Sequence, residues 1–161
     1  MKEILELDFD MDGTIADLYG VDNWLPMLRA EDPTPYIEAQ PLVDMARLTT
    51  LLKKAQELGI KVRIISWLSM DSSEEYKEQA RQAKKEWLEK HEFPYNNCNL
   101  VEYGYKKDYC VRNKKSLSGE YILFDDSQDV RDSWQIGRTV NPQETDICSY
   151  IEGLIAGLDL L

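Results

Sequence analysis

The sequence predicts an α/β fold, a Rossmann-like three-layer sandwich with a mostly parallel five-stranded sheet and little or no cap domain. Two observations lead to this prediction. Short apolar runs of strand type alternate with longer segments of helical periodicity, and such alternation is typical of parallel sheets covered on both faces. The length of 161 residues is typical of one domain. Residues 1–161 are therefore predicted to form a single domain.

The first third of the chain is predicted to hold a strand, an insertion and a long helix. The alternating apolar run over residues 4–9 predicts a strand that ends at the acidic, glycine-containing sequence 10–14. Leucine and alanine recur at helical spacing over about 42–58, which predicts a helix. The intervening segment at about 17–40 contains several prolines and shows no clear periodicity, so we predict a short lid-like insertion there.

The rest of the chain continues the alternation of strands and helices. A capping-box sequence marks the start of the next helix, and Tyr76, Ala80, Ala83, Trp87 and Leu88 form its apolar face. The predicted elements are a strand at 61–67, a helix after 71–75, strands at 99–103 and 120–124 with a short helix at about 108–113 between them, a brief strand at 138–140, and an amphipathic helix at 147–158.

Charge and composition restrict the location and the partners of the protein. The net charge of −11 disfavours nucleic acid, whereas a small anionic substrate is compatible with it if a bound cation reverses the local field. No run of about 18 apolar residues is present, and residues 1–7 lack the apolar core of a secretory signal. The three cysteines are widely spaced, which is typical of reduced thiols. We therefore expect a cytoplasmic protein without a membrane partner, and its oligomeric state stays open.

Polar residues follow each of the predicted strands of the sheet. Because the carboxyl ends of parallel strands meet at one edge, these residues are expected to converge there. Four gathered carboxylates repel one another unless a cation neutralises them, and all-oxygen ligands favour Mg²⁺. The residues are Asp10 and Asp12 after the first strand, Ser66 after the second, Lys106 or Lys107 after the third, and Asp125 and Asp126 after the fourth.

Four segments resemble, in order, the signature motifs of the haloacid dehalogenase superfamily. Residues 9–15, Phe-Asp-Met-Asp-Gly-Thr-Ile, resemble the first motif, in which Asp-x-Asp-Gly-Thr follows an apolar strand. Ser66 is similar to the second motif, the lysine pair 106–107 to the third, and residues 122–126 to the fourth. Over about 4–140 the layout resembles the phosphatases grouped with 5′(3′)-deoxyribonucleotidases and their small phage and bacterial relatives, with a reduced cap.

The resemblance implies a magnesium-dependent phosphohydrolase that cleaves a small phosphomonoester, with nucleoside monophosphates among the candidates. It implies that Asp10 is the nucleophile, which forms an aspartyl phosphate, and that Asp12 is the general acid and base. Ser66 and Lys106 are expected to hold the phosphoryl oxygens. The implied Mg²⁺ ligands are Asp10, the backbone carbonyl of Asp12, and Asp125, with Asp126 in the outer shell.

Three alternatives stay open at this point. Lys107 is the alternative phosphate-binding lysine; Lys106 is preferred because its spacing to Tyr109 matches the Lys-x-x-Tyr pattern of the close relatives. A phosphatase of nucleic-acid ends is a second function, and a non-catalytic module that binds Mg²⁺ or phosphate is a third. The net charge of −11 opposes the phosphatase of nucleic-acid ends, and the intact Asp10 and Asp12 oppose the non-catalytic module. The nucleic-acid alternative depends on a basic stripe formed by Lys106, Lys107, Arg112, Lys114 and Lys115.

Overall fold

A computed structural model describes residues 3–111 and 119–159 and contains a five-stranded parallel sheet flanked by helices. The predicted α/β fold class is thereby confirmed. The strands are β1 (Glu3–Phe9), β2 (Ala16–Asp17), β3 (Gln40–Pro41), β4 (Lys61–Trp67), β5 (Asn97–Val101), β6 (Gly119–Phe124) and β7 (Thr139–Val140). The sheet has the order β5-β4-β1-β6-β7, and β2 pairs with β3 in a separate antiparallel ladder.

Helices connect the strands and cover the sheet. They are α1 (Trp24–Arg29), α2 (Thr34–Glu38), α3 (Met45–Glu57), α4 (Glu74–Lys90), α5 (Gln128–Ser133) and α6 (Ile147–Asp159), with two 3-10 helices at Leu18–Gly20 and Lys107–Cys110. The helix predicted from 42 begins at Met45 because the Asp44 carboxylate caps it, accepting a 3.1 Å hydrogen bond from the Arg47 amide. In the described part of the chain, no helix has both the length and the apolarity that crossing a bilayer requires.

Apolar side chains pack on both faces of the sheet. On one face, Phe9 stacks on Phe124 with ring centroids 4.6 Å apart and meets Phe93 edge-on at 5.5 Å. Leucines and isoleucines of α3 and α6 complete this core. On the other face, Ile65 and Leu123 pack against α5 and the residues that follow it. The two apolar layers fix the strand ends in place, which is what a site at those ends requires.

The order of the strands creates a crevice beside β1. The chain builds outward from β1 through β4 to β5, then returns to place β6 on the other side of β1. Ligands of open parallel sheets bind at such a switch point, outside the carboxyl ends of the strands. In the β1–β6 register Phe9 lies opposite Phe124, so the residues that follow them, Asp10 and Asp125, emerge next to each other.

Besides the later start of α3, two elements differ from the sequence predictions. Strand β5 covers Asn97–Val101 rather than 99–103, because the chain turns at Tyr103 and Gly104, whose φ is +87°. In place of the short helix predicted at 108–113 there is a 3-10 helix at Lys107–Cys110, and residues 112 and 113 lie outside the described part of the chain.

The segment at 17–40, predicted as a lid-like insertion, contains α1 and α2 between the paired strands β2 and β3. Helix α1 contributes no buried side chain, whereas α2 packs against α4. The function of this segment as a lid stays a prediction. Five hydrogen bonds that involve side chains attach it to the rest of the protein. Tyr36 Oη bonds with Ser69 Oγ at 3.0 Å, Tyr76 Oη donates to Asp32 O at 2.9 Å, and Trp87 Nε1 donates to Ala39 O at 2.7 Å. The Glu31 carboxylate accepts the other two, from the Ser73 amide at 3.0 Å and from Ser73 Oγ at 2.6 Å.

Candidate active site

The loop after β1 turns tightly and carries the first two predicted site residues. Gly13 has φ +83°, and a Cβ at this position would overlap the Asp126 carboxylate, so both the backbone conformation and the space require glycine. Thr14 Oγ1 donates to Asp10 Oδ2 at 3.0 Å and accepts from the Asp126 amide at 3.2 Å. Thr14 therefore joins the loop after β1 to the loop after β6.

Three carboxylates meet at this junction, and we call Asp10, Asp125 and Asp126 the site carboxylates. Each contributes an oxygen to a group whose members all lie within 4.8 Å of one another. Lys107 Nζ lies between two of them, 2.9 Å from Asp10 Oδ1 and 2.7 Å from Asp125 Oδ2. Three carboxylates and one ammonium leave two negative charges uncompensated within this group.

The pKa values of these groups reflect burial first and the excess of negative charge second. Burial, followed by the charge of Asp10, raises the pKa of Asp125 to about 6 and that of Asp126 to about 7. Burial alone would lower the pKa of Lys107, but the charges of Asp10 and Asp125 outweigh it and hold the pKa above its ordinary value. A divalent cation would offset the repulsion among the carboxylates, which is the second cause of the raised pKa values after burial. The donor set, all oxygen and open to a cavity, fits Mg²⁺.

The carboxylate of Asp12 lies apart from the site carboxylates and has a cation of its own. Lys84 Nζ donates to Asp12 Oδ2 at 2.9 Å, to Ser66 Oγ at 2.7 Å and to Trp67 O at 2.8 Å. Burial raises the pKa of Asp12, and the Lys84 charge opposes that rise. Ser66 is completely buried and does not line the cavity, so its predicted contact with a phosphoryl oxygen stays a prediction.

Sequence reasoning did not identify Lys84. Its position nevertheless carried a recognisable pattern, because Lys84 lies four residues after Ala80 and four before Leu88 on the apolar face of α4. Lysine is rarely fully buried unless it is paired, and Lys84 is 1% exposed. A lysine within the apolar stripe of a helix therefore indicated a buried partner, although the identity of that partner, 72 residues away, required the fold.

The structure brings Lys107, and not Lys106, among the site carboxylates. Lys107 has a side chain that is 3% exposed, whereas that of Lys106 is 30% exposed and lies 3.3 Å from Asp108 Oδ2. The preference for Lys106 rested on its spacing to Tyr109. That spacing does bring the two together, with the ammonium 5.1 Å from the ring centroid, but outside the carboxylate cluster. Adjacent residues at the start of a 3-10 helix point in different directions, which the sequence alone could not resolve.

A cavity of about 690 Å³ opens above the site carboxylates. Its walls include Tyr19 and Trp24, in edge-to-face contact with centroids 4.9 Å apart, and Trp67 and Tyr103, also 4.9 Å apart. Leucine and methionine side chains complete the apolar part, and Arg29 contributes a guanidinium group. The cavity thus combines an acidic floor with aromatic walls.

Comparisons with known proteins give no identification: no family model matches the chain, and a search of curated proteins finds no match. The resemblance to the haloacid dehalogenase superfamily therefore stays a prediction that depends on the motif residues. The order of strands and the convergence of Asp10, Asp125 and Lys107 at the switch point are independent observations about the site.

Proposed function

We propose that the protein is a magnesium-dependent phosphohydrolase of the haloacid dehalogenase type, which cleaves a small phosphomonoester through an aspartyl phosphate on Asp10. The observation that carries the proposal is the position of Asp10. Its carboxylate lies at the switch point, within 4.8 Å of oxygens of Asp125 and Asp126, bonded to Lys107 and open to a cavity. A carboxylate in this setting is suited to nucleophilic attack on a bound phosphate.

In the first step a carboxylate oxygen of Asp10 attacks phosphorus and forms an O–P bond. The bond from phosphorus to the leaving oxygen breaks, and that oxygen keeps the electron pair and takes a proton from Asp12. Burial supports this role of Asp12, because it raises the pKa and favours the protonated carboxyl group. Lys107, already bonded to Asp10, would offset the charge that builds on the phosphoryl group.

In the second step a water molecule attacks the phosphorus of the aspartyl phosphate. Asp12 accepts a proton from this water, the bond between phosphorus and Asp10 breaks, and inorganic phosphate leaves, with Asp10 again a carboxylate and Asp12 again protonated. Mg²⁺, when bound, would supply positive charge that offsets the negative charge of the carboxylates and of the phosphoryl group. Asp10, Asp125 and Asp126 would hold it; a contribution from the backbone carbonyl of Asp12 stays a prediction.

The shape and lining of the cavity favour a leaving group with a planar, largely apolar part. Five aromatic side chains line it, and the volume of about 690 Å³ is within the range of small-molecule sites. Nucleoside monophosphates fit this description, since a base can stack on Tyr19, Trp24, Trp67 or Tyr103. Of the basic stripe invoked for nucleic-acid ends, Arg112, Lys114 and Lys115 lie outside the described residues, so the structure adds no support to that alternative.

The deciding experiment measures phosphate release from p-nitrophenyl phosphate, a panel of nucleoside monophosphates and a 5′-phosphorylated oligonucleotide, with Mg²⁺ and with a chelator. We expect magnesium-dependent turnover in the wild type and a loss of at least about 10³-fold in Asp10→Asn, because the nucleophile is removed. Asp129→Asn is the matched control, since Asp129 is an exposed aspartate in the first turn of α5 and its loss should leave turnover unchanged.

Other outcomes would redirect the proposal. Turnover that survives in Asp10→Asn would contradict the assignment of the nucleophile. Absence of turnover throughout, with Mg²⁺ binding still detected by calorimetry, would favour the non-catalytic module. Turnover confined to the oligonucleotide would favour the phosphatase of nucleic-acid ends.

A further inference from the structure

Lys84 reaches the site from α4, and its ammonium group joins the loop after β1 to the end of β4. We propose that Lys84 is a positioning residue, which holds the carboxyl group of Asp12 in the orientation that proton transfer to the leaving group requires. The inference rests on the proposed function and adds to it a residue outside the four motif segments.

The hydrogen bonds of Lys84 restrict what it can do. An ammonium group has three N–H donors, and Lys84 uses them on Asp12 Oδ2 at 2.9 Å, Ser66 Oγ at 2.7 Å and Trp67 O at 2.8 Å. None remains for a substrate. Lys84 is also 1% exposed, with Nζ 5.1 Å from the centroid of the Tyr36 ring. Its influence on catalysis must therefore pass through Asp12.

Two of the three partners are anchors and the third is the group that is held. Ser66 and Trp67 end β4 and are paired with β5, so the sheet holds both residues in place. They fix the ammonium, and the ammonium fixes Oδ2 of Asp12. Oδ1 takes no part in this contact, and the Asp12 side chain is 18% exposed where it lines the cavity. This arrangement also gives the buried Ser66 hydroxyl a purpose as an anchor of Lys84.

A purely structural explanation of Lys84 makes a different prediction. Removing one partner of a buried ion pair is usually destabilising, so a purely structural lysine could be exchanged for methionine at a cost in stability but without a selective effect on either leaving group. A positioning lysine could not. Its loss would leave Asp12 free to rotate and would impair the step in which a proton is transferred.

The test compares two leaving groups. An alkyl phosphate needs a proton on its leaving oxygen, whereas p-nitrophenolate departs as a stable anion. The ratio kcat/KM reports the steps up to formation of the aspartyl phosphate, so it isolates proton donation by Asp12 from its later role as a base. For Lys84→Met we expect kcat/KM to fall by about 100-fold with the preferred nucleoside 5′-monophosphate, an alkyl phosphate, and by less than about 10-fold with p-nitrophenyl phosphate, because positioned acid catalysis contributes effects of this size.

Three further variants keep the test decisive. Asp12→Asn should show the same selectivity for leaving group, and Lys85→Met, on the exposed side of α4, should change neither substrate. If Lys84→Met does not fold, Ser66→Ala retains the ammonium but removes one anchor, and it should show a smaller loss with the same selectivity. Thermal unfolding of each variant measures folding independently.

Equal losses with both substrates, or no loss, in Lys84→Met or in Ser66→Ala would overturn the positioning role while leaving the proposed function intact. A wild type that hydrolyses neither p-nitrophenyl phosphate nor any nucleoside monophosphate would overturn both.

Discussion

Two groups of carboxylates, one beyond the ends of β1 and β6 and one within β1 itself, differ in what can reach them. The site carboxylates face a cavity and share Lys107. Below them, Glu6 and Asp8, which we call the strand carboxylates, alternate with the core residues Leu7 and Phe9 and are 2% and 0% exposed. Arg63 is the cation paired with the strand carboxylates, and its Nε lies 3.0 Å from Glu6 Oε2 and 3.8 Å from Asp8 Oδ1.

The comparison shows that burial of charge does not by itself mark a functional site. Both groups pair buried carboxylates with one buried or largely buried cation, and both contain aspartates with raised pKa values. Neither oxygen of Asp8 has a hydrogen-bond donor among the described residues, yet it lines no described cavity. Access for a ligand is what distinguishes the two. Substitutions of the site carboxylates should therefore affect ligand binding and turnover, and substitutions of the strand carboxylates should affect stability.

The largest effect is expected at Asp125. Asp125→Asn replaces a charged oxygen ligand and leaves Lys107 with one carboxylate partner instead of two. We expect the affinity for Mg²⁺, measured by calorimetry, to fall by at least about 100-fold, because loss of a direct ligand should exceed the 10- to 100-fold cost of altering an outer-shell partner. Asp8→Asn, a substitution of one of the strand carboxylates, is the matched control. A similar loss of Mg²⁺ affinity in both variants would remove the distinction between the groups.

The effect expected at Asp8 is smaller, and it is a gain in stability and not a loss of Mg²⁺ affinity. Burial, followed by the neighbouring Glu6, raises the pKa of Asp8 well above its ordinary value of 3.8. Asp8→Asn removes the charge, and its amide can donate to Glu6. We expect the free energy of unfolding in urea at pH 7 to rise by about 1 kcal/mol, the scale of one unsatisfied buried polar group. Turnover should stay within about twofold of the wild type, since catalysis does not depend on Asp8.

The stabilisation by Asp8→Asn should depend on pH. A carboxyl group whose pKa is raised by folding binds its proton more tightly in the native state, so its contribution to stability is complete below the unfolded pKa and is lost as the pH rises through the folded pKa. The variant should therefore match the wild type below about pH 4 and gain on it above that, because the unfolded pKa lies near 3.8. A constant difference in unfolding free energy across this range would contradict the assignment to Asp8.

The sequence predicted the residues that follow strands better than those that lie elsewhere. Asp10, Asp125 and Asp126 could be placed together because parallel strands end at one edge, and their order along the chain matched the motifs. The same alternating pattern could not show that Glu6 and Asp8 are buried, since a polar face of a strand is usually exposed.

The two lysines required the three-dimensional structure for different reasons. Lys84 lies on a helix and approaches Asp12 only through the packing of α4 on the sheet, a contact between residues far apart in sequence. The choice between Lys106 and Lys107 depended on side-chain direction within a short 3-10 helix. The helices at 24–29 and 34–38 were too short to show a periodic pattern, so the insertion could be located but not described in detail.

The smallest effect is expected in the cavity, which gives a ligand access to the site carboxylates but not to the strand carboxylates. Trp24 lies on α1 and forms one wall with Tyr19. If the leaving group stacks there, Trp24→Ala removes binding that is equal in the ground and transition states, and KM should rise about 5- to 10-fold, the equivalent of one aromatic contact, with kcat nearly unchanged. Steady-state kinetics with the preferred nucleoside monophosphate measures both constants.

Ile37→Ala is the matched control for Trp24, because Ile37 lies in the same insertion, is 53% exposed and does not line the cavity. It should leave KM unchanged. A drop in kcat of Trp24→Ala with unchanged KM would instead indicate that the insertion contributes to the chemical step or to product release. Equal changes in both variants would indicate that the insertion as a whole is loosened. The difference between the site carboxylates and the strand carboxylates would then depend on the sheet alone and not on the cavity walls.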